Sequence, residues 1–192
     1  LDFMVITEKP IKINIKEPRL EITAFEIGSL RKAIEKHPVM YYQIVQEAEP
    51  LINAHVLECL KSIKIENKNF KWYLNDTKEH LKSNRELLEL DKLDGGYVKS
   101  HSILYSAILR LRGIFIIKCI LSKENFSNKN FKRWLISEDI SNNEFEQAYS
   151  GYRAVRDNKK IQNIKIRISI AEKLLNILEK ELKHIEIKLY GK

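Results

Sequence analysis

Cysteine is nearly absent from this chain of 192 residues. The two that occur, Cys59 and Cys119, stand far apart, each inside an apolar helical pattern. That excludes a disulfide framework and a zinc spacing, and predicts buried thiols in a reducing cytoplasm. The histidines His37, His55, His80, His101 and His184 show no metal-ligand spacing either. The longest apolar stretch, Gly113 to Leu121, is broken by Lys118 and closely preceded by Arg110 and Arg112. It is too short and too charged to span a bilayer, so no membrane partner is expected. A basic region followed by a long apolar one is missing from the N-terminus, so no secretory leader is expected. Internal repeats and long low-complexity segments are also lacking. Scarce glycine and proline, beside many isoleucines, lysines and glutamates, give a composition of the thermophilic kind.

What is there is charge and ordinary hydrophobicity. Charged residues make up 31% and hydrophobic ones 44%, values of a soluble globular protein rather than a disordered one. The length leaves room for one domain or two small ones. A formal net charge of +8 favours an anionic partner such as nucleic acid, nucleotide or phosphate, although solvated lysines give the same sum.

Leu1 to Thr7 reads as a buried strand, apolar on both faces after Asp2. Ile11, Ile13 and Ile15 alternate with Lys12, Asn14 and Lys16, as in a half-exposed strand over 11–17. A third strand follows over 20–26, and tight connections at Glu8-Lys9-Pro10 and Glu17-Pro18-Arg19 join the three into a small sheet. Ser29 is the expected N-cap of a helix through Lys36, ended by His37-Pro38. A second apolar face carries Val39, Tyr42, Ile44 and Val45. Leu51, Ile52, Val56, Leu60 and Ile63 mark another helix, with a domain boundary near residues 64 to 69. A long charged helix from Phe70 to Leu90 turns Leu74, Leu81, Leu87 and Leu88 inward. Asp94-Gly95-Gly96 is a loop. The most apolar helix, from Tyr97 to about Leu121, is the expected centre of a bundle. A short helix covers Phe131 to Ile136, Ser141 with Glu144 makes a capping box opening a helix through Arg156, and a last helix spans Ile168 to Tyr190. The fold class is α+β: a small N-terminal sheet with helices over 1–66, then a helical domain over 67–192.

Leu1-Asp2-Phe3-Met4-Val5-Ile6 resembles the second half of the Asp-x-Asp strand of polymerase β-type nucleotidyltransferases. In that family the strand reads roughly Ser-Asp-Leu-Asp-Phe-x-Val and follows a Gly-Ser helix. A third carboxylate lies on a neighbouring strand, where this chain has Leu20-Glu21-Ile22, with Glu in place of Asp. Phe25 to Leu51, with His37-Pro38, resembles the helical tail that closes minimal members. The later helices resemble the helical C-terminal domains attached to such proteins in archaea. The likeness to the catalytic domain covers about residues 1 to 52. The family's Gly-Ser motif and first carboxylate would lie before Leu1, so a chain truncated or processed at the N-terminus is expected.

The resemblance implies Asp2 and Glu21 as catalytic metal ligands for Mg²⁺ or Mn²⁺. It implies NTP as donor, with a hydroxyl on RNA, protein or a small molecule as acceptor. It also carries the expectation of a homo-oligomer or a partner protein, as in toxin–antitoxin pairs. Read without it, Asp2 is a strand-edge carboxylate and Glu21 a solvent-facing strand residue.

A second candidate is basic and aromatic. Lys129, Lys132, Arg133 and Trp134 are followed by Tyr149, Tyr152, Arg153 and Arg156, the last four at three- and four-residue spacings on one helical face. Such arginines can fork onto phosphate while a tyrosine stacks on a base. Lys132, Arg133, Tyr152, Arg153 and Arg156 are therefore candidates for nucleotide or nucleic-acid binding, in catalysis or in a non-catalytic helical module. The alternative is a packed amphipathic helix, with its tyrosines inward and its arginines paired to Glu144, Glu146 or Asp157.

Overall fold

In the computed structural model, which describes residues 2–13, 19–158 and 165–191, the chain divides into two compact units, 1–70 and 71–192. The fold is α+β and mainly helical. No helix of the described residues is long and apolar enough to cross a membrane.

The first unit begins with β1 (Asp2–Thr7) and β2 (Glu21–Glu26), which pair in parallel with Asp2 opposite Glu21 and Thr7 opposite Glu26. Tight turns cannot join parallel neighbours; a crossover of about a dozen residues or more is needed, and residues 8–20 supply that length. The three-strand sheet expected from the alternation is thus a parallel pair among the described residues. Residues 11–13 form no strand, and the rest of the segment proposed at 11–17 lies outside the described residues. Met4, Ile6 and Phe25, on one face of the pair, pack against Leu30, Ile34, Val45, Leu57 and Leu60.

β2 runs straight into α1 (Ile27–Lys36), and the N-cap is Glu26 rather than Ser29. Its carboxylate accepts from the backbone N–H of Gly28 at 2.9 Å and of Ser29 at 2.8 Å, while the Ser29 hydroxyl donates to it as well. These bonds to the charged form hold the Glu26 carboxyl below its ordinary range, the Ser29 hydroxyl contributing most. Pro38 ends α1 and opens α2 (Pro38–Glu47), where its missing N–H costs no helical bond. The next helix, α3 (Ala54–Lys61), is shorter than the stripe from Leu51 to Ile63 suggests. Asn53 adopts the left-handed conformation at its start, which leaves Leu51 and Ile52 outside the helix and exposed. Leu60 is buried as the stripe requires, with Val56 and Ile63 packed against the same core and Leu57 beside it, while Cys59 is exposed, against expectation. A 3-10 turn, Asn67–Phe70, buries Phe70 and closes the unit.

In the second unit α4 (Lys71–Leu93), α5 (Ser102–Ser122), α6 (Asn128–Ser137), α7 (Asn142–Arg156) and α8 (Ile168–Tyr190) form a bundle. α5 packs against α4, α7 and α8, so it needs apolar residues all round. Ile103, Leu104, Ala107, Ile108, Leu111, Ile114 and Ile117 meet that need, as does Cys119, a buried thiol whose pKa burial raises. Residues 97–101 stay outside the helix because they are held elsewhere. Val98 donates to the Ile166 carbonyl at 2.8 Å, and the buried Asp91 carboxylate accepts the backbone N–H groups of Lys99 and Ser100. α4 turns Tyr73, Leu74, Thr77, Asn84 and Leu88 inward, whereas Leu87 is exposed. The one buried glutamate of α8, Glu181, is ion-paired with Lys118, whose ammonium also lies 4.7 Å from the Trp134 ring centre.

Tyr73 and Gly113 show how closely α4 and α5 approach. The Tyr73 hydroxyl donates to the Arg110 carbonyl at 3.2 Å, and a Cβ on Gly113 would stand 1.7 Å from that hydroxyl oxygen. Burial pushes the Tyr73 pKa up to about 12, so the hydroxyl stays a neutral donor. Arg110, which pairs with Asp76, covers the same ring at 5.6 Å. Ordinary helix propensity favours Ala over Gly, but overpacking wins here. Gly113→Ala should destabilise the second unit by about 1–3 kcal/mol, read as a lower denaturant midpoint at unchanged slope; an unshifted midpoint would show that the two helices can part freely.

Candidate functional site

The first candidate lies at the start of the sheet. Parallel register places Asp2 and Glu21 side by side, with backbones separated by the usual strand spacing of about 4.8 Å and side chains on one face. Both are exposed, on the face that carries Met4, Ile6 and Phe25 further along. Two carboxylates this close favour a shared cation, since each repels the other's charge. Among the described residues no group of three or more His, Cys, Asp or Glu side chains could hold a metal. The pair alone does not form a closed cage for a metal ion.

The second candidate lies on α6 and α7, which are joined by Glu138 to Ile140 and the Ser141 cap and pack against each other. Ser127 caps α6 through the Asn130 N–H. The capping box opening α7 is complete: Ser141 accepts from the Glu144 N–H at 3.3 Å, and Glu144 accepts from the Ser141 N–H at 2.8 Å. This second bond, then the ion pair with Lys173 at 3.0 Å, lowers the Glu144 pKa.

Between the two helices runs an open groove of about 440 Å³, lined by Lys129, Lys132, Phe145, Glu146, Tyr149 and Arg153 among others. Phe145 and Tyr149 stack at 5.2 Å, with planes 15° apart. Lys132 lies 5.3 Å above Phe145 and Arg153 lies 5.4 Å from the Tyr149 ring. The groove thus presents the half-buried Tyr149 ring, backed by the buried Phe145 and edged by cations, and what it can hold is an anion.

The five residues proposed for nucleotide or nucleic-acid binding separate here. Arg133 and Arg153 are exposed, and neither they nor Lys129 has an acidic partner among the described residues. Lys132 reaches the groove but is bridged to Glu146 at 2.7 Å. Arg156 points its Nε to Asp157 at 2.7 Å, a bond that raises its pKa. Tyr152 is only 4% exposed, stacked on Tyr105 at 5.4 Å with planes 12° apart and with Tyr149 against it. A base cannot reach that ring, so the stacking role expected of Tyr152 is corrected. The inward-tyrosine alternative holds for Tyr152 and Arg156, while Tyr149 and Arg153 line the groove. Phe145 and Asn128 escaped the sequence reading, which named Glu146 only as a partner for the arginines. The brief connection through Ser141 was the available signal, since it makes α6 and α7 neighbours and sets 128–132 beside 145–149.

No protein-family model, curated protein or solved structure matches the chain.

The Glu144 bonds give the groove's second helix a pH dependence. A carboxyl whose folded pKa is lowered adds stability that is present above its ordinary value near 4.5 and lost as pH falls through the folded value. Stability of the second unit should therefore fall below about pH 4.5 in the parent, and less steeply in Glu144→Gln. Parallel acid titrations of the two proteins, followed by circular dichroism, would refute the assignment.

Proposed function

We propose that the chain acts as a nucleotidyltransferase-like protein, in which Asp2 and Glu21 hold a divalent cation against the phosphates of an NTP. The observation that carries this reading is their register: β1 and β2 bring carboxylates from distant positions to adjacent places on one face. Supporting it is the absence of competing partners, since neither side chain takes part in an ion pair or hydrogen bond among the described residues. Such a pair stays available for a ligand.

In the reaction a hydroxyl oxygen of the acceptor bonds to the α-phosphorus as the bond from that phosphorus to the pyrophosphate oxygen breaks. The acceptor's proton passes to solvent or base, and pyrophosphate leaves. A divalent cation, when bound, supplies charge stabilisation for the triphosphate and the leaving group. Asp2 and Glu21 fix its position and offset its charge, and Glu26, committed to the α1 N-terminus by its three bonds, is withdrawn from that role. The acceptor is a hydroxyl on RNA, protein or a small molecule.

The test starts with binding, because it does not depend on finding the acceptor. Mn²⁺ affinity, followed by water proton relaxation with and without a non-hydrolysable NTP, should rise when the nucleotide is added. Asp2→Asn or Glu21→Gln should each weaken it by about tenfold or more, a change of about 1.4 kcal/mol. Both residues lie at an exposed strand end, so their loss should leave the thermal transition in place. Mn²⁺ binding indifferent to both changes, or Mg²⁺-dependent pyrophosphate release that survives Asp2→Asn, would sink the reading.

A further inference from the structure

We infer that the groove between α6 and α7 binds a single strand of nucleic acid through its phosphates, with Lys129 and Arg153 as the principal contacts. The inference concerns the second unit alone and does not rest on the carboxylate pair.

The argument is one of charge left over. Around the groove the acids are already committed: Glu146 to Lys132 and Asp157 to Arg156. Lys129, Arg133 and Arg153 remain with no acidic partner among the described residues. Lys129 and Arg133 lie one turn apart on α6, and Arg153 faces Lys129 across the groove. Three unmatched cations on two neighbouring helices form a local positive field that a protein would otherwise pair or disperse.

The shape decides which anion fits. Small ligands are generally enclosed over most of their surface, whereas this groove is open to solvent. An isolated nucleotide would therefore leave most of itself in water, while a chain molecule can lie along the opening. Duplex DNA presents convex rows of phosphate that would meet the helix rims and miss the Tyr149 ring between them. A single strand can lower a phosphate to Lys129 and Arg153 and lay a sugar or base edge along the half-buried Tyr149 ring. Arg153 is suited to this, since it lines the groove with its guanidinium by the Tyr149 ring, and a guanidinium can fork onto phosphate.

A fluorescein-labelled twelve-nucleotide oligouridylate, titrated with the full chain in EDTA and read by anisotropy, tests this. Binding should weaken steeply with salt, with a log–log slope of about −2, as expected when three cations each neutralise a phosphate on a single strand. Lys129→Gln and Arg153→Gln should each weaken binding severalfold, and by tenfold or more together, with the helical melt unchanged. Arg156→Gln, whose partner is Asp157, should change it less than twofold. Asp2→Asn should still bind, so failure here and failure of the metal reading are told apart. Absence of binding, affinity unchanged in Lys129→Gln/Arg153→Gln, equal competition by free UMP, or equal affinity for oligoglutamate would each overturn the proposal.

Discussion

The parallel pairing of β1 with β2 is the constraint on which the first unit depends. Parallel neighbours demand a long crossover, and they put residues of equal register on the same face at the same end. One consequence is packing: Met4, Ile6 and Phe25 point together at the helices, and they cover Leu30, Ile34 and Val45 from the sheet side. The other is chemical. Asp2 and Glu21 become neighbours although the residues between them would let a different pairing scatter them. An antiparallel hairpin with the same residues would set the start of β1 against the end of β2 and oppose Asp2 to Glu26 instead. That carboxylate is needed at the α1 N-terminus, where it satisfies backbone donors that no helical carbonyl reaches. Chain direction therefore divides the acids of the strand pair into a structural one and an available pair.

In the second unit the corresponding division is among cations. α5 is surrounded by helices, so α7 must turn Phe145, Ala148 and Tyr152 inward to cover it. Inward placement consumes Tyr152, and Arg112 lies 6.0 Å from its ring centre on the same side. Tyr149 sits one turn earlier, at the edge, where Arg153 rather than the core covers it. Helical spacing alone puts both tyrosines on a common face; only the neighbours decide which ring is core and which is wall. Ion pairing then sorts the basic residues. Lys132 and Arg156 each have an acid within reach, and such exposed pairs contribute little stability while removing charge from the surface field.

These cases mark what was legible in the residues and what was not. Local signals held where the chain decides its own geometry. The Ser141 and Glu144 capping box is a bond pattern within one turn, and α8 spans Ile168–Tyr190 as its apolar period requires. The expected Ser29 cap failed for a local reason too: Ser29 is a better N-cap by type, but a strand that runs directly into a helix starts the helix earlier, with its cap at Glu26, and leaves the serine inside its first turn. Signals failed more widely where another segment decides. Leu51 and Ile52 have helical spacing, yet the Pro50 and Asn53 backbone breaks the stripe before it begins. The alternation at Ile11 and Ile13 is real but finds no strand partner among the described residues. For the carboxylate pair, both residues could be named from type and context, whereas their adjacency required register. For the groove, the basic residues could be named, whereas its lining and its unpaired subset required packing.

Net charge illustrates the same point at the scale of the whole molecule. A sum of +8 says only that anions are favoured somewhere, since a lysine bridged to glutamate and one facing open solvent count alike. On α8, Lys173, Lys180 and Lys183 are each held by glutamates, Glu144, Glu138 and Glu179, so a helix rich in lysine presents little unmatched charge. Lys129, Arg133 and Arg153 are fewer than the lysines of that helix, yet none of the three has an acidic partner among the described residues. What selects a binding face is therefore not where lysine and arginine are most frequent. It is where the fold has used its nearby acids for something else.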